Sequence, residues 1–238
     1  MTVVDFITER PYRALIGPGA LDRLGEHVRD AALVGILHAP PLASAARRAG
    51  DLVRIAGAEP VLIELPDGEA AKTPQVLARC WSALAVAGFT RSDLVVGIGG
   101  GATTDLAGFI AATWMRGVRW VSVPTTVLAM VDAGIGGKTG ADLPEGKNLI
   151  GAFWEPSAVL ADTGLLAGLP VDDVRAGLGE VIKHGLIADE RTLELIEASP
   201  LEALDPTSAL MPELIARSVR VKADVVGADL RESTSVGD

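Results

Sequence analysis

Residues 97–151 constrain the fold of this chain more than any other stretch. A buried strand is predicted over residues 94–98, and it runs directly into the triple glycine Gly99-Gly100-Gly101. A glycine loop between a strand and a helix lets backbone N–H groups approach an anion closely, and the helix N-terminus adds positive potential. The triple glycine is not in the usual register of the dinucleotide fingerprint, so its neighbours must support the interpretation.

Those neighbours lie further along the same stretch. A second predicted strand, residues 120–123, ends at Pro124-Thr125-Thr126, and two glycine-lysine segments follow at residues 136–138 and 146–148. We interpret both segments as loops, whose lysines supply mobile ammonium groups for anionic ligands. Together these features predict a site for a phosphate-bearing cofactor and an anionic substrate.

The order of predicted elements indicates the fold class. Short buried strands at residues 33–37, 61–65, 94–98, 120–123 and 157–161 alternate with helical patterns, after an N-terminal strand pair within residues 2–16. This alternation predicts an α/β fold with a parallel sheet, whose ligands lie at the carboxyl ends of strands. We expect residues 1–169 to form a parallel-sheet nucleotide-binding domain.

The character of the chain changes at Pro170. Helical periodicity follows over residues 172–187, 190–198 and 208–228 with no strand between them, and residues 231–238 form a polar end. We expect residues 170–238 to be the beginning of an α-helical domain, incomplete at its C-terminus. The alternative is a small helical cap that folds back on the sheet domain.

Composition excludes several functional classes. The net charge of −10 argues against a nucleic-acid-binding surface. We find no signal peptide and no apolar run long enough to span a bilayer, so a cytoplasmic protein with no membrane partner is expected. The single cysteine, Cys80, lies in a helical pattern and is interpreted as a core residue.

Lysine is rare in this chain. There are five lysines among the 21 basic residues, and four of the five lie in motif-like contexts. One of them, Lys183, lies three residues after Glu180 on a predicted helix, and His184 follows it. A surface ion pair and a metal-ligating glutamate beside a substrate-binding lysine both remain open. Lys222 is on an amphipathic helix, where a solvated charge and a functional role are about equally supported.

The ordered set of motifs resembles the 3-dehydroquinate synthases, of the sugar phosphate cyclase superfamily. The matching segments are Asp67-Gly68-Glu69 with Lys72, Gly99-Gly100-Gly101 with Asp105-Leu106-Ala107-Gly108-Phe109, Arg116-Gly117-Val118, Pro124-Thr125-Thr126, Val131-Asp132, Gly136-Gly137-Lys138-Thr139-Gly140, Gly146-Lys147-Asn148, Gly151-Ala152-Phe153 and Glu180-Val181-Ile182-Lys183. The resemblance implies NAD, a divalent metal (zinc or cobalt), a small anionic sugar phosphate as substrate, and a homodimer.

The resemblance also implies roles for individual residues. Substrate-binding or catalytic roles fall on Asp132, Lys138, Asn148, Lys183, Lys222 and Arg116, of which Arg116 would reach the substrate phosphate of a neighbouring subunit. One metal ligand, Glu180, is implied. The implied cofactor-binding residues are Asp67, Gly68, Glu69, Lys72, Gly99, Gly100, Gly101, Ala102, Thr103, Thr104, Asp105, Thr125, Thr126, Lys138, Lys147, Leu165, Leu166 and Gly168.

The reaction implied by the resemblance converts 3-deoxy-arabino-heptulosonate 7-phosphate to 3-dehydroquinate and phosphate, in the shikimate pathway of aromatic amino acid biosynthesis. It is a phosphate-eliminating carbon–oxygen lyase reaction in which NAD is regenerated within each turnover. Three alternatives stay open: a related cyclase of the amino-dehydroquinate or valiolone type, an iron-type polyol dehydrogenase, and a non-catalytic NAD-binding fragment.

The resemblance covers residues 11–232 and departs from the family pattern in two ways. The family continues into a helical segment with a Gly-His-Thr motif and a later metal-binding histidine, so we expect a C-terminally truncated chain with little or no turnover. Gly168 and Asp142 stand where the family usually has threonine and asparagine.

Overall fold

The computed structural model describes residues 1–229, which build a seven-stranded sheet and a separate two-stranded hairpin. The sheet strands are β1 (Thr2–Phe6), β2 (Tyr12–Ile16), β3 (Leu33–His38), β4 (Glu59–Glu64), β5 (Leu94–Gly99), β6 (Arg119–Pro124) and β9 (Ala158–Ala161), and the hairpin strands are β7 (Lys138–Leu143) and β8 (Gly146–Phe153). The sheet order is β1-β2-β9-β6-β5-β3-β4, and all of its pairs are parallel except β1 with β2.

Helices cover both faces of the sheet. They are α1 (Ala43–Ile55), α2 (Pro74–Ala87), α3 (Gly101–Thr113), α4 (Val171–Ala188), α5 (Glu190–Ala198), α6 (Pro200–Ala203) and α7 (Met211–Ala228), with 3-10 helices at Ala20–His27, Gly68–Ala71 and Thr163–Gly168 and a π-helix at Ala129–Ala133. One face packs against α1 and the first 3-10 helix. The other packs against α2, α3 and the hairpin.

The predicted α/β class with a mostly parallel sheet is confirmed. Each predicted strand is present to within two residues at either end. Helix α3 begins at Gly101, because Gly100 is extended and its carbonyl accepts the N–H groups of Thr103 and Thr104. The triple glycine therefore contributes a residue to the helix itself.

The interpretation of residues 136–138 and 146–148 as two independent loops is wrong in part. Gly136 and Gly137 do form a loop, with φ of 82° and 72°. Lys138, however, begins β7, and residues 146–148 begin β8, so both lysine segments belong to one antiparallel hairpin. The reason is tertiary, since the apolar inner side of β7 packs on α3 through Ala141 and Thr139.

Close packing of α3 depends on glycines that face it. A Cβ atom built on Gly97 of β5 would lie 2.6 Å from the Cβ of Ala107. A Cβ on Gly108 of α3 would overlap Thr139 Cγ2 and lie 2.9 Å from Trp120 Cζ2. The helix is thereby held between the sheet and the hairpin, with its N-terminus at the carboxyl edge of the sheet.

The helical segment after Pro170 packs back on the sheet. Val174, Leu178 and Val181 of α4 and the inner side of α7 share one apolar core with β1, β2 and the π-helix. The division of the chain at residues 169/170 remains a prediction, and the polar end at residues 231–238 lies outside the described residues. Within residues 1–229, no helix has both the length and the apolar character needed to cross a bilayer.

We predict that Gly108→Ala lowers the free energy of unfolding by about 1–3 kcal/mol, because the added methyl group must displace Thr139 or Trp120. The matched control is Gly179→Ala in α4, where an added Cβ meets no atom within 4 Å and should stabilise the helix by roughly 0.5–1 kcal/mol. Urea denaturation of both variants measures the difference. Equal effects of the two substitutions would contradict the proposed packing of α3.

Candidate active site

The glycine loop lies at the carboxyl ends of two adjacent parallel strands. Gly99 is the last residue of β5 and pairs with Pro124, the last residue of β6. The N–H of Thr125 donates to the Gly99 carbonyl at 2.9 Å, so the two strand ends are tied together. Thr126 caps the following turn by accepting the N–H of Ala129. The chain reverses its direction across the sheet between β3 and β5, and such points are where α/β sheets bind ligands.

The loop itself leaves no space for side chains. A Cβ on Gly99 would overlap the side chain of Thr103, and one on Gly101 would lie 3.0 Å from the Cβ of Ala133. A Cβ on Gly100 would lie 3.3 Å from Thr126 Cγ2. Backbone N–H groups at the start of α3 are therefore uncovered by any Cβ, which is the arrangement that fits a phosphate group.

A cleft of about 620 Å³ opens beside this loop. Its walls come from the start of α3, the π-helix, the hairpin, α4 and α7. Five of the six side chains predicted to bind substrate or act in catalysis line it, namely Asp132, Lys138, Asn148, Lys183 and Lys222. Asp105 lines it as well. The roles of these residues remain predictions, but the structure brings them to one cavity.

Cationic side chains dominate the cleft. Lys138, Lys183 and Lys222 bring three ammonium groups to a wall that also holds the carboxylates of Asp105 and Asp132. Lys222 is largely buried and its Nζ lies 2.8 Å from Asp132 Oδ1. This ion pair fixes the position of both side chains across the gap between α7 and the π-helix. The arrangement suits a ligand that carries anionic groups and hydroxyl groups together.

A buried lysine lies under one side of the cleft. Lys72 is 3% exposed, and its Nζ donates to Asp105 Oδ2 at 2.6 Å and to Asn148 Oδ1 at 2.5 Å. Burial raises the pKa of the Asp105 carboxyl to about 6, although the hydrogen bond and charge of Lys72 act in the opposite direction. Lys72 was expected to contact the cofactor, and that expectation remains a prediction.

The predicted metal ligand, Glu180, is held within the protein. Its Oε1 accepts from Lys183 Nζ at 2.8 Å and lies 3.3 Å from His184 Nε2. The other ring nitrogen of His184 is 2.5 Å from the hydroxyl of Ser218. Burial lowers the pKa of His184, so the neutral form of the ring is favoured beside Glu180 and Ser218.

These residues alone do not fit a divalent metal. Among residues 1–229, no group of three histidine, cysteine, aspartate or glutamate side chains could hold a metal ion. A catalytic zinc site takes three protein ligands, and Glu180 supplies one carboxylate that is already paired. Glu180 by itself therefore does not form a metal site among residues 1–229.

Two further groups of predicted cofactor residues follow the carboxyl ends of β4 and β9. The 3-10 helix Gly68–Ala71 follows β4, and the charge of Glu69 reaches Asp105. The 3-10 helix that contains Leu165, Leu166 and Gly168 follows β9 and is capped by Asp162. Lys147 is exposed at the start of β8 and is not among the residues that line the cleft.

Arg116 lies away from the cleft of its own chain. It is exposed in a turn where Met115, Arg116 and Gly117 all have positive φ, of 48°, 69° and 118°. Residues other than glycine rarely adopt this backbone conformation. The turn is held by Arg91, whose Nη2 donates to the Met115 carbonyl, and by the Trp154 ring, which fills the space above Gly117.

Sequence reasoning missed one residue that shapes the cleft. The hydroxyl of Tyr12 in β2 accepts the N–H of Gly136, at 2.9 Å, and so anchors the loop before Lys138. Burial raises the pKa of this hydroxyl, which keeps it neutral. No local pattern could reveal this contact, because 124 residues separate its partners.

Comparison with known proteins identifies sequence relatives. Two adjoining family models match the chain, "3-dehydroquinate synthase N-terminal" over residues 62–176 and "3-dehydroquinate synthase C-terminal" over residues 177–236. A 3-dehydroquinate synthase from Rhodococcus opacus is 54% identical over 226 residues, covering 95% of this chain and 61% of that protein. The chain thus spans about three fifths of the length of the curated relative it matches.

Solved structures of related enzymes share the fold. A 2-deoxy-scyllo-inosose synthase complexed with carbaglucose-6-phosphate, NAD⁺ and Co²⁺ superposes with a TM-score of 0.89 at 25% identity, covering 98% of this chain and 65% of that one. A 2-epi-5-epi-valiolone synthase from Streptomyces hygroscopicus with NAD⁺ and Zn²⁺ bound gives a TM-score of 0.85 at 26% identity, covering 97% and 65%.

We predict that Asp105→Asn changes how stability depends on pH. The folded state keeps the Asp105 proton up to a pH of about 6, whereas the ordinary pKa is 3.8, so ionisation of Asp105 destabilises the folded state as pH rises between these values. The free energy of unfolding of the wild type minus that of the variant should fall by on the order of 3 kcal/mol from pH 4 to pH 7. Denaturant titrations across this range measure it, and a constant difference would contradict the shift.

Proposed function

Since this chain belongs to the 3-dehydroquinate synthase family, we propose that it carries the NAD-binding sheet and the lysine-lined substrate cleft of a 3-dehydroquinate synthase. The reaction we assign is the conversion of 3-deoxy-arabino-heptulosonate 7-phosphate to 3-dehydroquinate and phosphate, a step of the shikimate pathway. The observation that carries this proposal is the convergence of Asp132, Lys138, Asn148, Lys183 and Lys222 on one cleft beside the glycine loop.

NAD is the proposed cofactor. The two related structures contain NAD⁺, and the residues around the triple glycine fit a pyrophosphate for the steric reasons given above. When bound, NAD would supply a transient oxidation of a secondary alcohol and recover its hydride in the same turnover. The chain's own contribution is to hold the cofactor at the carboxyl edge of the sheet, with Asp105 and Asn148 at the junction with the cleft.

The sugar phosphate would be bound mainly by charge. Lys138, Lys183 and Lys222 can neutralise a phosphate and a carboxylate, and they favour the negative charge that develops as phosphate leaves. Asp132, held by Lys222, offers acceptor oxygens to substrate hydroxyl groups, and the amide of Asn148 offers a donor. The walls of the cleft would also orient the substrate relative to the cofactor.

We also propose that a divalent metal binds, with Glu180 as one of its ligands. The related cyclases hold Co²⁺ or Zn²⁺, and Glu180 is the side chain of this chain that would take part in binding it. His184, which is itself hydrogen-bonded to Ser218, contacts the Glu180 carboxylate, as outer partners of metal ligands commonly do. Among residues 1–229 no group of three histidine, cysteine, aspartate or glutamate side chains could hold the ion, so we propose Glu180 as one ligand of a larger set.

Sequence identity to relatives with different products supports the choice of substrate. The curated 3-dehydroquinate synthase is 54% identical, whereas the cyclases that make 2-deoxy-scyllo-inosose and valiolone are 25% and 26% identical. This difference supports a carboxylate-bearing substrate over the alternative cyclase substrates. A panel of sugar phosphates, with binding measured by calorimetry in the presence of NAD⁺, tests the assignment.

We also propose a homodimer in which Arg116 serves the neighbouring subunit. Its exposed, strained turn is held rigidly yet lies outside the cleft of its own chain, which supports a role across an interface. Equilibrium sedimentation of the chain tests this proposal, and a monomer at concentrations of tens of micromolar would contradict it.

We predict that Gly100→Ala weakens NAD⁺ binding about tenfold or more. The added methyl group would crowd Thr126 and cover the N-terminus of α3, where the pyrophosphate is expected. Isothermal calorimetry with NAD⁺ measures the change, and Gly179→Ala, in open space on α4, is the control and should bind as the wild type does.

Two results would contradict the proposed function. A wild-type chain that binds no NAD⁺ at millimolar concentration would remove the cofactor assignment. Net accumulation of NADH with glycerol would indicate a polyol dehydrogenase, because a cyclase returns its hydride to the substrate in each turnover.

A further inference from the structure

We infer that Lys72 is a positioning residue that fixes the orientation of the Asn148 amide, so that its NH₂ group serves as a hydrogen-bond donor in the cleft. The inference deepens the proposed function and rests on it for the identity of the ligand. The buried ammonium group of Lys72 hydrogen-bonds to Asp105 and Asn148, two side chains that line the substrate cleft.

The ammonium group of Lys72 determines which end of the Asn148 amide faces it. Lys72 Nζ has three N–H donors and no acceptor, so it can pair only with the oxygen of a carboxamide. It donates to Asn148 Oδ1 at 2.5 Å, and the planar amide then directs its nitrogen away from Lys72. Asn148 lines the cleft and Lys72 does not, so the cleft receives the donor end of the amide.

Asp105 and Asn148 share the ammonium group of Lys72 as a hydrogen-bond donor. The same ammonium donates to Oδ2 of Asp105, a residue of the cleft lining, at 2.6 Å, which leaves the other carboxylate oxygen as an acceptor for a ligand. An acceptor from Asp105 and a donor from Asn148 are thereby held side by side. A ligand hydroxyl, which both donates and accepts, is complementary to such a pair, whereas a bare phosphate oxygen is complementary only to the donor.

Backbone hydrogen bonds also connect Lys72 to the hairpin that carries Asn148. Lys72 is 3% exposed and its backbone carbonyl accepts the N–H of Asp142, at 2.8 Å. Asp142 Oδ1 in turn accepts the backbone N–H of Asn148, at 2.7 Å, where Asn148 has a φ of 56°. The turn of the hairpin is thus tied to Lys72 by a backbone contact that is independent of the ammonium group. Loss of the ammonium should therefore free the amide without releasing the hairpin.

The test compares three variants of the full chain. Lys72→Met removes the ammonium but keeps an apolar stem, and Asn148→Asp keeps an oxygen for Lys72 but replaces the NH₂ group. Asp142→Asn is the matched control, because it alters the hairpin anchor without touching the ammonium or the amide. Circular dichroism and thermal melting establish that each variant is folded before binding is measured.

The ligand-free measurements come from NMR spectroscopy. In the wild type we expect an ordered Asn148 side-chain amide and an Asp105 carboxyl that titrates near pH 6. In Lys72→Met the amide order should fall, and the Asp105 midpoint should rise by about one pH unit or more, because burial remains while the cation is lost. Asp142→Asn should leave the Asp105 midpoint unchanged. An unchanged amide and an unchanged midpoint in Lys72→Met would overturn the inference.

The ligand measurement uses 3-deoxy-arabino-heptulosonate 7-phosphate with saturating NAD⁺. Lys72→Met and Asn148→Asp should each weaken binding about tenfold, and the double variant should be no weaker than Asn148→Asp alone, because both changes remove the same donor. Multiplicative losses would overturn the inference. If the wild type bound no sugar phosphate, the proposed function would fail, and the ligand-free NMR results would still decide the role of Lys72.

Discussion

Helix α3 can lie between the sheet and the hairpin only because glycines face its neighbours. Gly97 makes room for Ala107, and Gly108 makes room for Thr139 and Trp120. A side chain at either position would push the helix outward by a distance that the close-packed interior cannot absorb. With the helix in this position, its N-terminus meets the carboxyl ends of β5 and β6, and its Asp105 reaches the buried Lys72. The placement of the cleft therefore depends on backbone approach rather than on any polar contact.

The polar contacts then act on a framework that is already rigid. Lys72 and Lys222 are both largely buried, and each pairs with a carboxylate on the wall of the cleft. Breaking a buried pair by removing one partner is strongly destabilising, because a charge is left without compensation. Such pairs therefore hold their members in fixed positions. In this chain they hold Asp105 and Asp132 in the lining of the cavity in which a sugar phosphate is proposed to bind.

Much of the fold followed from the sequence because hydrophobic periodicity and glycine placement are local signals. The parallel strands and helices α4, α5 and α7 were predicted to within a few residues. The hairpin was not, because the glycines of β7 and β8 resemble a loop in any local window. Residues 138–143 form a strand because Ala141 and Thr139 pack on α3, a contact that lies far away in the sequence.

At the candidate site, the amino-acid sequence specifies the residue types and their order along the chain. Lysine is rare here, so the positions of Lys138, Lys183 and Lys222 carried information, and the resemblance to a family suggested roles for them. The tertiary structure alone decided that Lys72 lies beneath the cleft and that the Tyr12 hydroxyl holds the Gly136 loop. It also placed Arg116 outside the cleft of its own chain. The physical reason is that burial and hydrogen-bond partners depend on segments far apart in the chain, whereas a motif records only its own neighbours.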